Sequence, residues 1–421
     1  MTYELDPQPR RPGGFLGLVT VLCLLLLVVA LSLSAPSNGG DGPAERAIDF
    51  APRTTTTTTL QPIIDHNPDP SVRGPRVEAS APGWENLGTS DGVHRSGFEV
   101  IDAANGVFVF GGVTGSGEGV PNAAWYRDDV WTTVASARIP SGPEPVVLWT
   151  GETVVVYTGT VAAWDPESDE WGVLTFPPQG GTFYSGAPLA GVVADDRTVI
   201  LGTKTYPSTT GSNVFVAGYG ADLGCCFPYQ DPPFSLSFAE AHWTGSDILV
   251  IGSRTLPNGR PMADARGEVL ASLDPDTGVW TVLDPPPFPN TTAMSSTWTD
   301  GQLIAWSADG TSARWSETAG WEPLTEVPVQ HGDCAMHTVA LDGGDVLAMR
   351  CGTAALWSAD AGGWNSISVP PRSPAWPIDE CTPAGHGIDG AVHVWCSNAD
   401  TGQSFWRFVP GLAKVLSDAD Q

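Results

Sequence analysis

The strongest constraint on the fold of this chain is a unit of about 45 residues that recurs seven times after residue 96. Each unit opens with a strand, a tight turn and a second, very apolar strand. Most of the turns carry Asn-Gly, Thr-Gly, Asp-Gly or Gly-Gly, which supply the positive φ angles that a two-residue hairpin requires. The seven inner hairpins are predicted at 97–112, 145–159, 189–203, 239–253, 295–308, 336–352 and 382–397.

A second hairpin follows in most units and explains why two distant stretches read almost alike. Residues 162–174 are AAWDPESDEWGVL, and residues 271–283 are ASLDPDTGVWTVL. A turn rich in Asp, Pro, Thr and Gly separates an aromatic residue or Leu from a Trp that opens a short strand. The same pattern occurs at 123–134, 313–324 and 354–368. It predicts the third and fourth strands of the unit.

Together the two hairpins make a four-stranded antiparallel sheet that cannot cover both of its faces by itself. Radial stacking around an axis buries each apolar face against the next sheet and leaves only short edges. Composition agrees with an all-β fold, because 17 Trp, 49 Gly and 38 Pro accompany only 16% charged residues. The sequence therefore predicts a seven-bladed β-propeller of four-stranded antiparallel blades.

Two segments compete to complete the last blade and close the ring. Trp84, in GWENLG (83–88), matches the outermost strand although no inner hairpin precedes it. The segment GLAKVL (411–416) falls where the same strand would follow the seventh unit, with Leu412 in the Trp position. We favour closure by the Trp84 strand, which joins the two ends of the domain.

The units resemble kelch-type propellers, the family that includes the central domain of galactose oxidase. The residues that carry the resemblance are Trp149-Thr150-Gly151, Trp243-Thr244-Gly245, Trp298-Thr299-Asp300-Gly301, Gly111-Gly112, Trp125 and Trp131. The resemblance covers most of residues 84–416 and implies the propeller fold. No motif matches the copper ligands of galactose oxidase, so its copper chemistry is not expected here.

An uncharged N-terminal stretch at 15–34 is about 30 Å long as a helix, which matches the core of a bilayer. Arg10 and Arg11 precede it, which favours a cytoplasmic tail at 1–14 and an exterior location for everything that follows. A cleaved signal peptide is the alternative, although the apolar core of such a peptide is normally shorter. We expect a retained transmembrane helix that holds the protein at the cell membrane as a single-pass protein.

The remainder of the chain is predicted to divide into three segments. Residues 35–83 are rich in Pro, Gly and Thr and are expected to be a disordered, flexible linker. The propeller is predicted to span 84–416, and residues 417–421 form a short tail.

Six cysteines follow the predicted membrane span, and an even number in an exported domain indicates disulfides. Cys334 and Cys351 flank the sixth inner turn. Cys381 and Cys396 flank the seventh turn at similar offsets. Similar offsets around a hairpin place the two partners at the same height on adjacent strands, so we predict both pairs as disulfides.

The remaining two cysteines, Cys225 and Cys226, are adjacent in a long excursion of the third unit at 204–230. Two interpretations remain open for them. A vicinal disulfide would give a rigid apolar surface that supports a ligand, whereas a kinked turn would have no such role.

The acidic composition and the motif content restrict the function. The net charge is −28 without a basic stripe, so nucleic acid is not expected as a partner. No GxSxG, HExxH, P-loop or EF-hand motif occurs, and we assign no catalytic residue and no cofactor. The residues considered as metal ligands are His331, Asp333, His337, His386 and His393. Their offsets from the inner turns differ, so no metal site is predicted.

Ligand binding is the function that the sequence favours. Loops between second and third strands are long at 112–123, 204–230 and 254–268, and should gather on one face around the channel. Their basic and aromatic residues suit an acidic sugar, a peptide carboxylate or another anionic partner. The candidate ligand-binding residues are Lys204, Tyr206, Cys225, Cys226, Phe227, Tyr229, Arg254, Arg260 and Arg266.

The working hypothesis is a membrane-anchored extracellular propeller that acts as a scaffold or binds a protein or a glycan. The alternative is an extracellular lyase or hydrolase of glycans with its site at the mouth of the channel. Clustered His, Asp or Glu residues with strongly shifted pKa values at that mouth would favour the enzyme. The sequence does not indicate an oligomeric state.

Overall fold

The computed structural model contains seven four-stranded antiparallel sheets in the part of the chain that it describes. The chain divides into two units, Met1–His66 and Asn67–Gln421, and the described residues all belong to the second. The structure describes residues 83–88, 95–114, 116–136, 139, 144–174, 187–204, 212–220, 227–255, 267–288, 294–330, 334–369, 380–384, 391–398 and 402–410.

The first strand of every blade lies at the axis, because the seven first strands contact one another in a closed ring. Listed from the axis outward, blade 1 is Ser96–Ala103, Gly106–Val113, Ala124–Arg127 and Val130–Thr133; blade 2 is Val146–Trp149, Val154–Tyr157, Val161–Asp165 and Glu170–Leu174; and blade 3 is Pro188–Ala194, Arg197–Thr203, Val214–Tyr219 and Phe227–Pro228. Blade 4 is Ser235–Trp243, Ile248–Thr255, Glu268–Leu273 and Trp280–Leu283; blade 5 is Met294–Thr299, Gln302–Ser307, Ser312–Ser316 and Gly320–Pro323; and blade 6 is Met336–Ala340, Val346–Arg350, Thr353–Ser358 and Gly363–Ile367, with a short 3-10 turn at Asp342–Gly344. Blade 7 is Glu380–Pro383, Val392–Asn398, Gly402–Phe408 and Trp84–Gly88.

Antiparallel order gives each blade two distinct ends. The turn end carries the inner hairpin turns and the connections from third to fourth strands. The loop end carries the connections from second to third strands and the connections from one blade to the next.

The inner hairpins form where the sequence predicts them, for two local reasons. The apolar second strands, such as Val154–Tyr157, are buried because each has a neighbouring blade against both faces. The turns contain residues in the left-handed region, such as Asn105 at φ 59° and Gly301 at φ 75°. Asn and Gly tolerate this conformation better than other residues.

In several blades the Trp of the outer strand forms a hydrogen bond to the preceding blade. In blade 2, the indole Nε1 of Trp171 donates to the carbonyl of Ala135, where the chain leaves blade 1, at 2.6 Å. In blade 4, Trp280 makes the same bond to Gln230, where the chain leaves blade 3, at 2.9 Å. Trp321 in blade 5 donates in the same way to Asp284, where the chain leaves blade 4, so the recurrent outer phrase supplies a donor that reaches the exit of the preceding blade.

The Trp84 strand closes the ring, as predicted. Residues Trp84–Gly88 pair antiparallel with Gly402–Phe408 and become the fourth strand of blade 7. Trp84 is 4% exposed and its ring lies 4.7 Å from that of Phe408. Its Nε1 donates to the carbonyl of Ser368, at the exit of blade 6, at 2.6 Å. The competing segment, 411–416, lies outside the described residues.

The predicted extent of one loop is wrong. Residues 204–230 are not a single excursion between second and third strands, because Val214–Tyr219 and Phe227–Pro228 are the third and fourth strands of blade 3. The prediction failed because this blade lacks the Trp-containing outer phrase, so nothing in the pattern marked its outer hairpin. The loop at the loop end of blade 3 is 204–213.

Both disulfides that the turn offsets predict are present. Cys334 is bonded to Cys351 across the inner hairpin of blade 6, with a Cα–Cα distance of 5.3 Å. Cys381 is bonded to Cys396 in blade 7, where the two residues are direct partners in the strand pairing, with a Cα–Cα distance of 4.0 Å. Cys225 and Cys226 lie outside the described residues.

The predicted membrane span at 15–34, the linker at 35–83 up to residue 82, and the tail at 417–421 also lie outside the described residues. Within the ranges that the structure does describe, no helix combines the length and the apolar character needed to cross a membrane. The anchor and the linker stay predictions from sequence.

We expect Trp84→Ala to lower the free energy of unfolding by about 3–5 kcal/mol, because it removes a buried indole and the bond that links blade 7 to blade 6. Urea unfolding followed by fluorescence measures the change. Trp321→Ala is the matched control, because Trp321 occupies the same strand position in blade 5 but is only partly buried. An unchanged midpoint for Trp84→Ala would contradict closure by this strand.

Removal of either disulfide should destabilise the propeller by about 3 kcal/mol, because each bond closes a loop of 15 to 17 residues. The double variants Cys334→Ser/Cys351→Ser and Cys381→Ser/Cys396→Ser isolate the two bonds. Thermal unfolding with and without reductant measures the effect. The predicted disulfides are refuted if reductant leaves the melting temperature of the parent chain unchanged.

Candidate functional site

The sequence-predicted residue Lys204 lies at the loop end, directly after the second strand of blade 3. Its Nζ is 2.5 Å from Oδ1 of Asp231, and its side chain is only 11% exposed. The carboxylate therefore offsets the charge of this lysine locally. Arg254, near the end of the second strand of blade 4, lies at the same end of the ring and is half-buried.

Tyr229 makes its contacts toward the opposite end of blade 3. Its hydroxyl donates to the carbonyl of Pro275, in the turn between the third and fourth strands of blade 4, at 3.1 Å. Burial raises the pKa of Tyr229, and a hydrogen bond with Arg197 opposes that shift. Arg197 and Lys204 lie at the two ends of a seven-residue strand, which spans about 23 Å. Lys204 and Tyr229 therefore do not share one site.

The other predicted loop residues are not placed together by the structure. Phe227 lies in the fourth strand of blade 3. Tyr206, Cys225, Cys226, Arg260 and Arg266 lie outside the described residues. A ligand-binding role for this set stays a prediction.

A group of polar side chains lines the axial channel instead. These side chains lie on the innermost strands and form one tier of the channel. Each lies three residues before the residue of the first strand that forms the last pair of the inner hairpin. This position is Glu240 in blade 4, Ser296 in blade 5 and His337 in blade 6. Blade 3 has Gly191 there, and a Cβ on Gly191 would lie 2.6 Å from Cγ1 of Val146 in blade 2. The innermost strands are therefore packed closely in this tier.

Ser296 joins two titratable side chains. Oε2 of Glu240 accepts hydrogen bonds from the backbone N–H of Ser296 at 2.6 Å and from its Oγ at 2.5 Å. Nε2 of His242 lies 2.8 Å from the same Oγ. Because the hydroxyl proton goes to the carboxylate, Nε2 of His242 must carry its own proton to donate to Oγ. The three side chains thus form a continuous path for protons between an imidazole and a carboxyl group.

The environment of the channel shifts both of these groups toward their neutral forms. Burial raises the pKa of Glu240 to about 7, although hydrogen bonds from Ser296 and Ser295 oppose the shift. Burial lowers the pKa of His242 to about 4. The side chains of His242 and Glu240 keep 15% and 24% of their surface exposed, so water in the channel reaches both.

A second carboxyl group with a shifted pKa lies on the innermost strand of another blade. Glu99 lies on the innermost strand of blade 1, three blades away from Glu240 around the ring. Burial, together with the negative charge of Glu240, raises the pKa of Glu99 to about 8. At neutral pH the channel therefore holds one protonated carboxyl group and one that is close to half-protonated.

The polar tier continues into blade 6. Burial lowers the pKa of His337 to about 4, and its Nε2 is buried without a hydrogen-bond partner among the described residues. Beside it, the Thr338 hydroxyl donates to Oγ of Ser295 at 2.7 Å. Polar contacts thus run along the channel wall from blade 4 to blade 6.

Sequence analysis missed most of this group. The available signal was a polar residue in place of an apolar one on a predicted inner strand, as in AEAHW, where Glu240 and His242 share one face of the strand. His337 was considered only as a metal ligand. Among the described residues, no three His, Cys, Asp or Glu side chains come together as a metal site. His331, Asp333 and His386 lie outside the described residues.

Comparison with known proteins supports the fold and no narrower assignment. No family model matches the chain, and no curated protein matches it. The chain is similar to a solved structure titled "Streptogramin B lyase structure", with a TM-score of 0.52 and 11% sequence identity. The match covers 79% of this chain and 97% of that chain. At this identity the likeness shows the propeller fold alone, and the kelch type is not confirmed.

The raised carboxyl pKa values predict a loss of stability as pH increases. Glu99 and Glu240 stay protonated in the folded state at pH values where the unfolded chain has released both protons, so the free energy of unfolding falls as pH rises through 7 and 8. The lowered pKa values of His242 and His337 affect stability only below pH 6.5, where the free energy of unfolding falls as pH falls toward 4. Of these four groups, only the carboxyls titrate between pH 6.5 and 8.5.

We therefore expect the free energy of unfolding to fall between pH 6.5 and 8.5, by up to about 1.4 kcal/mol per pH unit for each carboxyl group. Urea unfolding at three pH values measures this slope. The slope should flatten in Glu99→Gln/Glu240→Gln and stay as in the parent in Glu152→Gln, an exposed turn control. Equal slopes in all three proteins would refute the pKa assignment.

Proposed function

We propose that this chain is a binding module, a kelch-type propeller that recognises a glycan at its axial channel and is held outside the membrane by residues 15–34. The observation that carries the proposal is the contact of Ser296 with both Glu240 and His242 in the channel. This arrangement holds polar groups in place without an ion pair, because the shifted pKa values favour neutral forms of both groups.

The chemistry of the channel suits a sugar better than it suits a charged peptide. Sugar hydroxyl groups each donate and accept hydrogen bonds, and they carry no charge. Protonated Glu99 supplies a donor, and Ser296 supplies a hydroxyl group. A charged ligand would have to lose its hydration in the channel without a full opposite charge to compensate. The second ligand that we propose is a protein partner that inserts polar side chains into the channel.

The alternative enzymatic function also has a specific observation in its favour. Glu99 and Glu240 both lie on innermost strands, and their raised pKa values suit general acid–base chemistry near pH 7. In hydrolysis of a glycosidic bond, Glu99 would give a proton to the departing oxygen while Glu240 takes a proton from the attacking water. Retention of glycans without cleavage distinguishes binding from this activity.

The experiment is a glycan array probed with the full chain in mild detergent at pH 6.5. We expect a subset of neutral glycans to bind, and Ser296→Ala and Glu240→Gln to weaken the binding by about 10-fold or more, because each change leaves a buried hydrogen-bonding group unsatisfied. Glu152→Gln is the matched control and should bind as the parent does. Mass spectrometry of the recovered glycans shows whether any bond has been cleaved.

The outcomes distinguish the channel from the loop end, and binding from cleavage. Loss of binding in Lys204→Ala/Arg254→Ala, with full binding in Glu240→Gln, would place the ligand at the loop end rather than in the channel. Cleaved glycans that disappear with Glu240→Gln would favour the enzyme. If no glycan binds at any pH between 5 and 8, the proposal of a glycan-binding module is refuted.

The membrane part of the proposal has its own test. We expect the full chain to fractionate with membranes and to be reachable by protease added to intact cells, because the predicted orientation places the propeller outside. Deletion of residues 15–34 should leave the chain inside the cell and in the soluble fraction. A full chain that is protected from protease in intact cells, yet is digested after lysis, would contradict the orientation.

A further inference from the structure

The seam between blade 7 and blade 1 contains a polar cleft that is separate from the axial channel. Its volume is about 360 Å³, within the range of small-molecule sites. The cleft opens toward the turn end, because its lining includes the inner turn at Asn105 and the outer turn at Asp128 and Asp129 in blade 1. The opposite wall belongs to blade 7, including the Trp84–Gly88 strand that closes the ring.

One wall of the cleft is a row of side chains in strand register. His393, Arg407 and Glu85 are direct partners across the second, third and fourth strands of blade 7. Side chains that are paired directly across adjacent strands project from the same face of a sheet. Arg407 lies 3.8 Å from Glu85, with 34% and 48% of these side chains exposed. The row therefore becomes more buried toward the axis.

The inner end of this row is a buried dyad. Nδ1 of His393 lies 3.5 Å from Oδ1 of Asp102, which comes from the innermost strand of blade 1. The two side chains are 12% or less exposed, and the His393 ring stacks on Phe405 with 5.5 Å between ring centroids. Nδ1 of His393 is buried without a hydrogen bond to the described residues. His393 lines the cleft, so its other nitrogen, Nε2, is the one available to a molecule there.

The charges around the cleft favour a cation. Three carboxylates, those of Glu85, Asp128 and Asp129, line it, against the two guanidinium groups of Arg127 and Arg407. A fourth carboxylate, that of Asp102, lies beside His393 rather than in the lining. Arg127 is already engaged by Asp128 at 3.4 Å and lies over the ring of Trp125 at 5.3 Å. The net charge of −28 on the whole chain adds a field that attracts cations to any accessible polar cleft.

We infer that this seam cleft binds an organic ammonium group, with the acidic side chains Glu85 and Asp129 beside the cation and Nε2 of His393 as a hydrogen-bond acceptor. A primary ammonium has three N–H donors, which suits a site that offers two carboxylates and an imidazole nitrogen. The group could arrive on a free amine or on a lysine side chain of a protein. The inference does not depend on a glycan in the channel, because none of these side chains belongs to the tier of Glu240 and Ser296.

The test is isothermal titration of the full chain at pH 7.5 with ethanolamine, spermidine and a short lysine-containing peptide, each beside its N-acetylated form. We expect at least one amine to bind, with its acetylated form bound at least 10-fold more weakly. Asp129→Asn and His393→Gln should each weaken binding by about 10-fold, since each removes one hydrogen-bonding group that meets a charged ligand. Asp129 is exposed, so its variant keeps the test valid even if His393→Gln proves unstable.

Glu152→Gln is the matched control, because it removes one negative charge from an exposed turn far from the seam in sequence. It should bind every amine as the parent does. Binding of the free amines supports a small-molecule ligand, and binding of the peptide alone supports a lysine on a protein partner. Absence of binding by all three amines, or equal weakening by Glu152→Gln and Asp129→Asn, would overturn the inference.

Discussion

Burial of one blade's apolar face against the next is the interaction on which the rest of this structure depends. Each boundary between blades holds its own cluster of buried residues, such as Phe108 with Trp164 between blades 1 and 2 and Phe98 with Trp395 between blades 7 and 1. A single four-stranded sheet leaves both faces exposed to water, whereas a complete ring leaves neither. The seventh boundary is therefore as necessary as the other six, and the Trp84 strand completes the blade that forms it.

The repeated units made most of the fold predictable from sequence. The number of repeats specified the number of blades. The positions of the cysteines relative to the inner turns specified both disulfides, because hairpin pairing determines which residues face each other. The third blade was misjudged where its outer hairpin, Val214–Tyr219 and Phe227–Pro228, lacks the Trp phrase. Pattern alone gave no signal there, since a two-residue strand is too short to show any alternation.

The channel group was much harder to foresee. Glu99, Glu240 and Ser296 lie on strands from three different blades. The contact of Glu240 with Ser296 and the effect of its charge on Glu99 arise only when the ring brings those strands together. Sequence spacing places His242 beside Glu240 on one strand, but the hydroxyl group that links them comes from the next blade. Loop residues such as Lys204 were predicted to bind a ligand because they are basic in an acidic chain. The structure pairs that lysine with Asp231, a contact that composition cannot show.

Closure by the first strand also imposes an order on synthesis. The Trp84 strand leaves the ribosome before any of the blades, while its partner, Gly402–Phe408, is made after every other strand that the structure describes. At typical elongation rates the interval between them is roughly 15–60 s. Throughout that time the Trp84 strand has no sheet to join, and its indole has no site in which to be buried. The nascent chain thus carries an unpaired strand edge until Gly402–Phe408 has been made, and that edge needs protection from other chains.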